Sequence, residues 1–158
     1  MTIIEPELRN ILERAVADTI ESMAFVEIVP TEKKTPYNEH LVRLRVEILV
    51  NAPFPGEIRL VLPISLAMIF AQNMYNLDER QITDELIQDV LGEIVNIVAG
   101  RLMAEIIPSK QTFQLGLPQI GTDAFLETDA DSLSMEFDAE ESPFWVILFG
   151  DGFQRSIE

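Results

Sequence analysis

Apolar residues recur along the chain in two rhythms, one of three to four residues and one of two. Leu8, Ile11, Leu12, Ala15, Val16, Ile20 and Met23 keep helical spacing, which predicts a helix over residues 5–23 with Pro6 in its first turn. Residues 25–29 are a short apolar run closed by Pro30 and predict a strand, and the polar residues 31–39 predict an exposed loop. Over 41–50, Val42, Leu44, Val46, Ile48 and Val50 alternate with Arg43, Arg45 and Glu47, the pattern of a strand with one buried face. Ala52-Pro-Phe-Pro-Gly56 turns the chain, and Ile58, Leu60 and Leu62 alternate on the way back, which predicts a hairpin. Beyond Pro63, Ser65 is the expected cap of a helix over 66–75 whose core face holds Leu66, Ile69, Phe70 and Met74.

The longest helical pattern covers residues 83–107 and is stopped by Pro108. Thr83 is placed to cap it, with Asp84 and Glu85 at the positive end of its dipole. Val90, Leu91, Ile94, Val95, Val98 and Leu102 fall on one apolar arc. Asp89, Glu93, Asn96 and Gly100, spaced four, three and four apart, form a narrow stripe on the opposite side. Residues 112–120 then predict a strand broken by Gly116 and Pro118. Residues 130–138 alternate Leu133, Met135 and Phe137 with Ser132, Ser134 and Glu136. After a turn at 139–143, the run 144–149 is apolar enough for a strand covered on both faces. The tail from Gly150 carries little pattern. The order is helix, strand, hairpin, helix, and again helix, strand, hairpin. It predicts an α+β domain over 1–158 with helices layered on a mostly antiparallel sheet and an internal pseudo-duplication, half one about 5–76 and half two about 83–150.

Composition narrows the chemistry. A net charge of −16 opposes binding to nucleic acid and to anionic membrane surfaces, and favours a partner with exposed basic groups. The absence of cysteine removes disulfides, thiolate catalysis and cysteine-ligated metals. With no signal-peptide pattern and no apolar run of membrane-spanning length, the expected compartment is the cytoplasm. His40 is the single histidine and has no carboxylate pattern near it, so zinc chemistry and histidine triads lack ligands. Asp123, Glu127, Asp129 and Asp131 cluster without the spacing of a calcium loop and suit a solvated loop. Met68, Met74, Phe113 and Phe137 suit the core. Glu93 and Asn96 remain as candidates. Spacing alone favours an ordinary wet helix face for them, since Glu7-Leu-Arg-Asn10 shows the same separation. Gly100 is likewise readable as a close-packing position.

Asp89-Val-Leu-Gly-Glu-Ile-Val-Asn-Ile-Val-Ala-Gly100 resembles the motif helix of the CheC/CheX/FliY group of bacterial chemotaxis phosphatases, CheX type. The likeness includes Gly92, Gly100 at its offset and the lead-in Asp84-Glu85 with Asp89. It continues in Val50-Asn-Ala-Pro-Phe-Pro-Gly-Glu-Ile-Arg-Leu60, in Leu117-Pro-Gln-Ile-Gly121 and in the final hairpin with Phe137 and Pro143. The resemblance implies a phosphatase for the aspartyl phosphate of a CheY-like receiver domain, working by insertion of this helix into the receiver's active site. Asn96 would orient the attacking water, Glu93 would pair with the receiver's active-site lysine, and Gly100, with Gly92 and Asp89, would belong to the contact surface. Magnesium would come with the receiver, and this chain would bind no cofactor. The resemblance also implies a homodimer, and the missing closing helix suggests an edge strand free for pairing. Relatives of the CheC type carry the motif twice. Here Arg14 stands where the first copy would have its glycine, so one working site per chain is expected, with Glu7 and Asn10 as solvated surface. An adaptor that docks a receiver or flagellar-switch protein without catalysis is the alternative. A metal-dependent hydrolase has only scattered carboxylates behind it.

Overall fold

The computed structural model describes residues 5–32, 43–122 and 132–154. His40 and the acidic cluster at Asp123, Glu127, Asp129 and Asp131 lie outside them. The first helix, α1, is Glu5–Ala24, with Leu8, Leu12, Val16, Ile20 and Ala24 fully buried on one face. The strand expected over 25–29 is not there. Phe25 takes a left-handed φ of 56° and its N–H closes the helix on the Glu21 carbonyl, while the Ile28 N–H is held by the Glu21 carboxylate at 2.8 Å. Val26 and Ile28 still point into the core, so the alternation is real but lacks a ladder. The strand β1 forms one step later, at Val29–Thr31, and includes Pro30, which an edge strand tolerates.

The hairpin β2 (Arg43–Ala52) and β3 (Gly56–Pro63) pairs in one register throughout, from Arg43 opposite Pro63 to Val50 opposite Gly56. Helix α2 (Ile64–Tyr75) follows β3 without a linker, and its N-cap is Pro63, with no side-chain cap. Ser65 is therefore inside the first turn and does not cap the helix, because the end of the strand sets its start. Asn76, in left-handed conformation, closes it, and a short 3-10 turn at Glu79–Gln81 leads on. Helix α3 is Asp84–Ile106, capped by the Thr83 hydroxyl, which accepts from the Leu86 N–H at 3.1 Å. The single strand expected over 112–120 is two short ones, β4 (Gln114–Leu115) and β5 (Gln119–Gly121), both antiparallel to β2. The final hairpin is β6 (Leu133–Ala139) and β7 (Ser142–Phe149). Glu140 and Glu141, both at positive φ, turn it, and Phe144 to Leu148 are buried without interruption. The weakly patterned tail adds a 3-10 turn, Asp151–Gln154, that buries Phe153 edge-on against Phe54 at 5.0 Å.

All strands join one antiparallel sheet in the order β1-β6-β7-β3-β2-β4, with β5 also on β2. Exchanging the two halves maps this order onto itself: β3 with β7, β2 with β6, and β4 and β5 with β1. The duplication expected from the element order is thus built into the sheet, with the β3–β7 pair at its centre. The last strand, β7, is therefore internal to the sheet. The edges among the described residues are β1 and the β4–β5 pair. One face of the sheet and the helices share a continuous core that runs from Leu8 and Val16 through Val46, Ile58 and Phe137 to Ile94 and Leu102.

The other face carries Val61 and Trp145, with the Arg43 guanidinium 5.0 Å from the Trp145 ring. Beside them runs a ladder of charges: Arg45 to Glu47 at 3.0 Å, Arg59 to Glu47 at 3.5 Å and Arg59 to Glu57 at 2.6 Å. Burial and the Glu47 carboxylate hold the Glu57 carboxyl above its ordinary value, against the pull of Arg59. The folded chain therefore holds this proton more tightly than the unfolded chain. The corresponding stability is present in acid and is lost as pH rises through the raised value. Glu57→Gln, which stays neutral, is expected to gain in melting temperature over wild type as pH goes from about 4 to about 7. A difference that stays flat or shrinks across that range contradicts the assignment.

Candidate functional site

Helix α3 packs against α1, α2, β2 and β3, which fixes its rotation. Its apolar arc is Val90, Leu91, Ile94, Val95, Val98 and Leu102, all buried. The same rotation sends Asp89, Glu93 and Asn96 outward. All three are exposed, and Gly100 is half-buried on the same stripe. The four residues that spacing placed together are therefore together, on a rigid helix in the middle of the fold. Among the described residues, neither carboxylate nor the Asn96 amide has a hydrogen-bond or ion-pair partner.

The two glycines of the helix differ. A Cβ on Gly92 would sit 3.5 Å from Pro118, in ordinary contact, where the β4–β5 edge passes under the helix. A Cβ on Gly100 would meet nothing within 4 Å. Close packing, one of the two readings left open for Gly100 by spacing, is not its role within this chain. A mid-helix glycine costs roughly 1 kcal/mol relative to alanine, and no internal contact offsets it.

A shallow groove borders the stripe, lined by Gln88, Asp89, Gly92, Glu93, Pro118 and Ile120. Among the described residues it contains two acids and no base. Sequence reasoning did not anticipate that Pro118 and Ile120 would share a surface with Glu93, because only the pairing of β5 with β2 brings that edge beneath α3. Among the described residues no group of three His, Cys, Asp or Glu is arranged to hold a metal ion, and no helix is long and apolar enough to cross a membrane.

The model of the chemotaxis phosphatase CheX family matches residues 47–138, more than half of the chain, including the whole of α3. The chain belongs to the CheX family. Solved CheX structures agree in fold. CheX from Vibrio vulnificus superposes with a TM-score of 0.72 at 19% identity, covering 90% of this chain and 98% of that one. CheX from Desulfovibrio desulfuricans gives 0.71 at 17%, covering 90% and 97%. The CheX–CheY–BeF3–Mg2+ complex from Borrelia burgdorferi gives 0.66 at 17%, covering 90% and 96%. Curated protein sequences offer no match. The helix-on-antiparallel-sheet architecture expected from the residues is thus the CheX architecture.

The first-half counterpart of the stripe lies on α1. Glu7 and Asn10 are exposed there, but Arg14, one turn beyond, forms a 2.7 Å ion pair with Glu105 of α3. That bridge lies in the groove between the two helices, lined also by Asp18, Ser22 and Arg101. One turn beyond Asn10 stands a long charged side chain, where one turn beyond Asn96 stands Gly100.

Proposed function

We propose that the chain is a phosphatase for the aspartyl phosphate of a CheY-like receiver domain, with α3 as the element that enters the receiver's active site. The observation that carries this reading is the pair Glu93 and Asn96, without partners among the described residues and beside an open Gly100, on a helix within the segment matched by the CheX model. A relative of the same fold is known in complex with a CheY bearing beryllofluoride and magnesium.

The chemistry asks little of this chain. Water oxygen bonds to phosphorus, the bond from phosphorus to the receiver's aspartyl oxygen breaks, and inorganic phosphate and a free carboxylate result. An acyl phosphate is already activated and the receiver brings its own metal, so positioning one water supplies much of the acceleration. The Asn96 amide offers a donor and an acceptor without adding negative charge beside the phosphoryl group. Glu93, three residues earlier on the same face, is placed to pair with a receiver lysine and set the register of docking. The reading extends to a homodimer in the cytoplasm, and a monomer mass by light scattering would remove the dimer without touching the chemistry.

The test is the rate of phosphate loss from phosphorylated receiver domains of the host, with and without the chain at substoichiometric amounts. Acceleration with several turnovers per chain is expected for at least one receiver, and no acceleration for any would sink the proposal. Only α3 should work. The double variant Glu7→Ala, Asn10→Ala is expected to keep its rate within about twofold of wild type, since surface changes away from a site rarely matter. A large loss in that variant would mean a second site on α1.

A further inference from the structure

Beside the stripe, the β4–β5 edge carries an apolar feature that the proposed chemistry does not use. Leu117 is 85% exposed, the most exposed of the large apolar residues described. Leu117 is not on a loose loop. The Gly116 N–H donates to the Leu49 carbonyl at 2.8 Å on one side, and on the other side Pro118 packs on Gly92. Held by both neighbours, Leu117 is presented at a fixed place, one residue before the Pro118 that lines the groove with Asp89 and Glu93.

We infer that Leu117 is an apolar anchor for the same receiver domain that α3 engages, and that it sets affinity and partner choice while Asn96 sets rate. The inference rests on the reading above. Charge and edge geometry favour this occupant over a second copy of the chain. The groove lined by Pro118, the neighbour of Leu117, offers two carboxylates and, among the described residues, no base, so it suits a partner with a cation beside an apolar surface. Two copies meeting at this edge would bring two acidic grooves close together. The edge is also a poor template for strand pairing, being two strands of two and three residues interrupted by Pro118. A single exposed leucine is ordinary on a protein surface. One fixed by its two neighbours, a residue away from a docking groove, is placed to fill a pocket, as interface anchors do.

The experiment compares wild type, Leu117→Ala, Leu117→Asp and the control Phe25→Ala, an equally bare apolar site at the end of α1. Two readouts are taken: Michaelis kinetics on the phosphorylated receiver, and binding to the same receiver loaded with beryllofluoride and magnesium. Losing a buried leucine side chain is expected to raise KM and Kd about tenfold in Leu117→Ala, and further in Leu117→Asp. kcat should stay within about twofold and Phe25→Ala should match wild type. The binding readout separates the two readings. If wild type binds but does not dephosphorylate, the catalytic proposal fails while the shift in Kd still decides the anchor. If wild type dephosphorylates and both Leu117 variants match it in KM and Kd, the anchor alone is wrong. A wild type that neither binds nor dephosphorylates any receiver overturns both. A Leu117→Asp variant that loses self-association and keeps receiver affinity assigns the edge to a second copy and overturns the anchor.

Discussion

Asn96→Ala is expected to lower the rate of receiver dephosphorylation by about 10²-fold or more, the scale on which loss of a positioning group acts. The melting temperature should stay near that of wild type. Both halves of the expectation follow from where Asn96 sits. Its side chain is exposed and makes no hydrogen bond among the described residues, so truncation leaves no buried group unsatisfied. Alanine is also the better helix former. The loss should appear in kcat, because an amide that orients water contributes to the transition state more than to docking. Glu93→Ala should act mainly on KM, since a docking ion pair is made before chemistry and kept through it. A variant at position 96 that unfolds, or one that raises KM with kcat intact, would move Asn96 from chemistry to contact.

Gly100→Arg gives the other large effect. It places on α3 the residue that α1 carries at Arg14, at a position where a Cβ meets nothing within 4 Å among the described residues. The helix should tolerate it and gain a few tenths to 1 kcal/mol from replacing a mid-helix glycine. Docking should not tolerate it. A long side chain at the centre of the contact face keeps the partner's backbone from the stripe, and obstruction at an interface centre costs 2 kcal/mol or more, about 30-fold in KM. Increased stability with weakened function is a combination that a packing role for Gly100 cannot produce. Gly100→Ala, with one methyl in open space, should show the stability gain with a smaller change in KM. If Gly100→Arg is instead destabilised and equally active, the open face is not the docking face.

Much of this was legible along the chain because its rhythms are long. The three helices and both hairpins fall where spacing puts them, and the cap at Thr83 and the stop before Pro108 are local chemistry that a sequence displays. The strand at 25–29 was misplaced because an apolar run does not say whether it has a ladder partner. Glu21 takes the Ile28 N–H that a strand would have used. Ser65 was misread because tertiary connection, with β3 running straight into α2, overrode a favourable capping residue. Phe153 was missed because one aromatic in a short tail has no period, and it is buried only because Phe54 and Gly56 reach it from a distant turn. The stripe on α3 was visible as spacing, and its openness was not. That Gly92 faces Pro118 depends on a pairing between β2 and β5 that no local pattern encodes.

The most direct measurement is a turnover assay in which a cognate receiver, phosphorylated on its aspartate, is mixed with one chain per several receivers, wild type and Asn96→Ala in parallel. The account predicts that wild type releases several phosphates per chain at an accelerated rate. It also predicts that Asn96→Ala binds the receiver loaded with beryllofluoride and magnesium as well as wild type does, yet leaves the phosphate on at close to the spontaneous rate. Tight binding by both proteins with no acceleration by either would contradict it and make the chain an adaptor that docks through the same face.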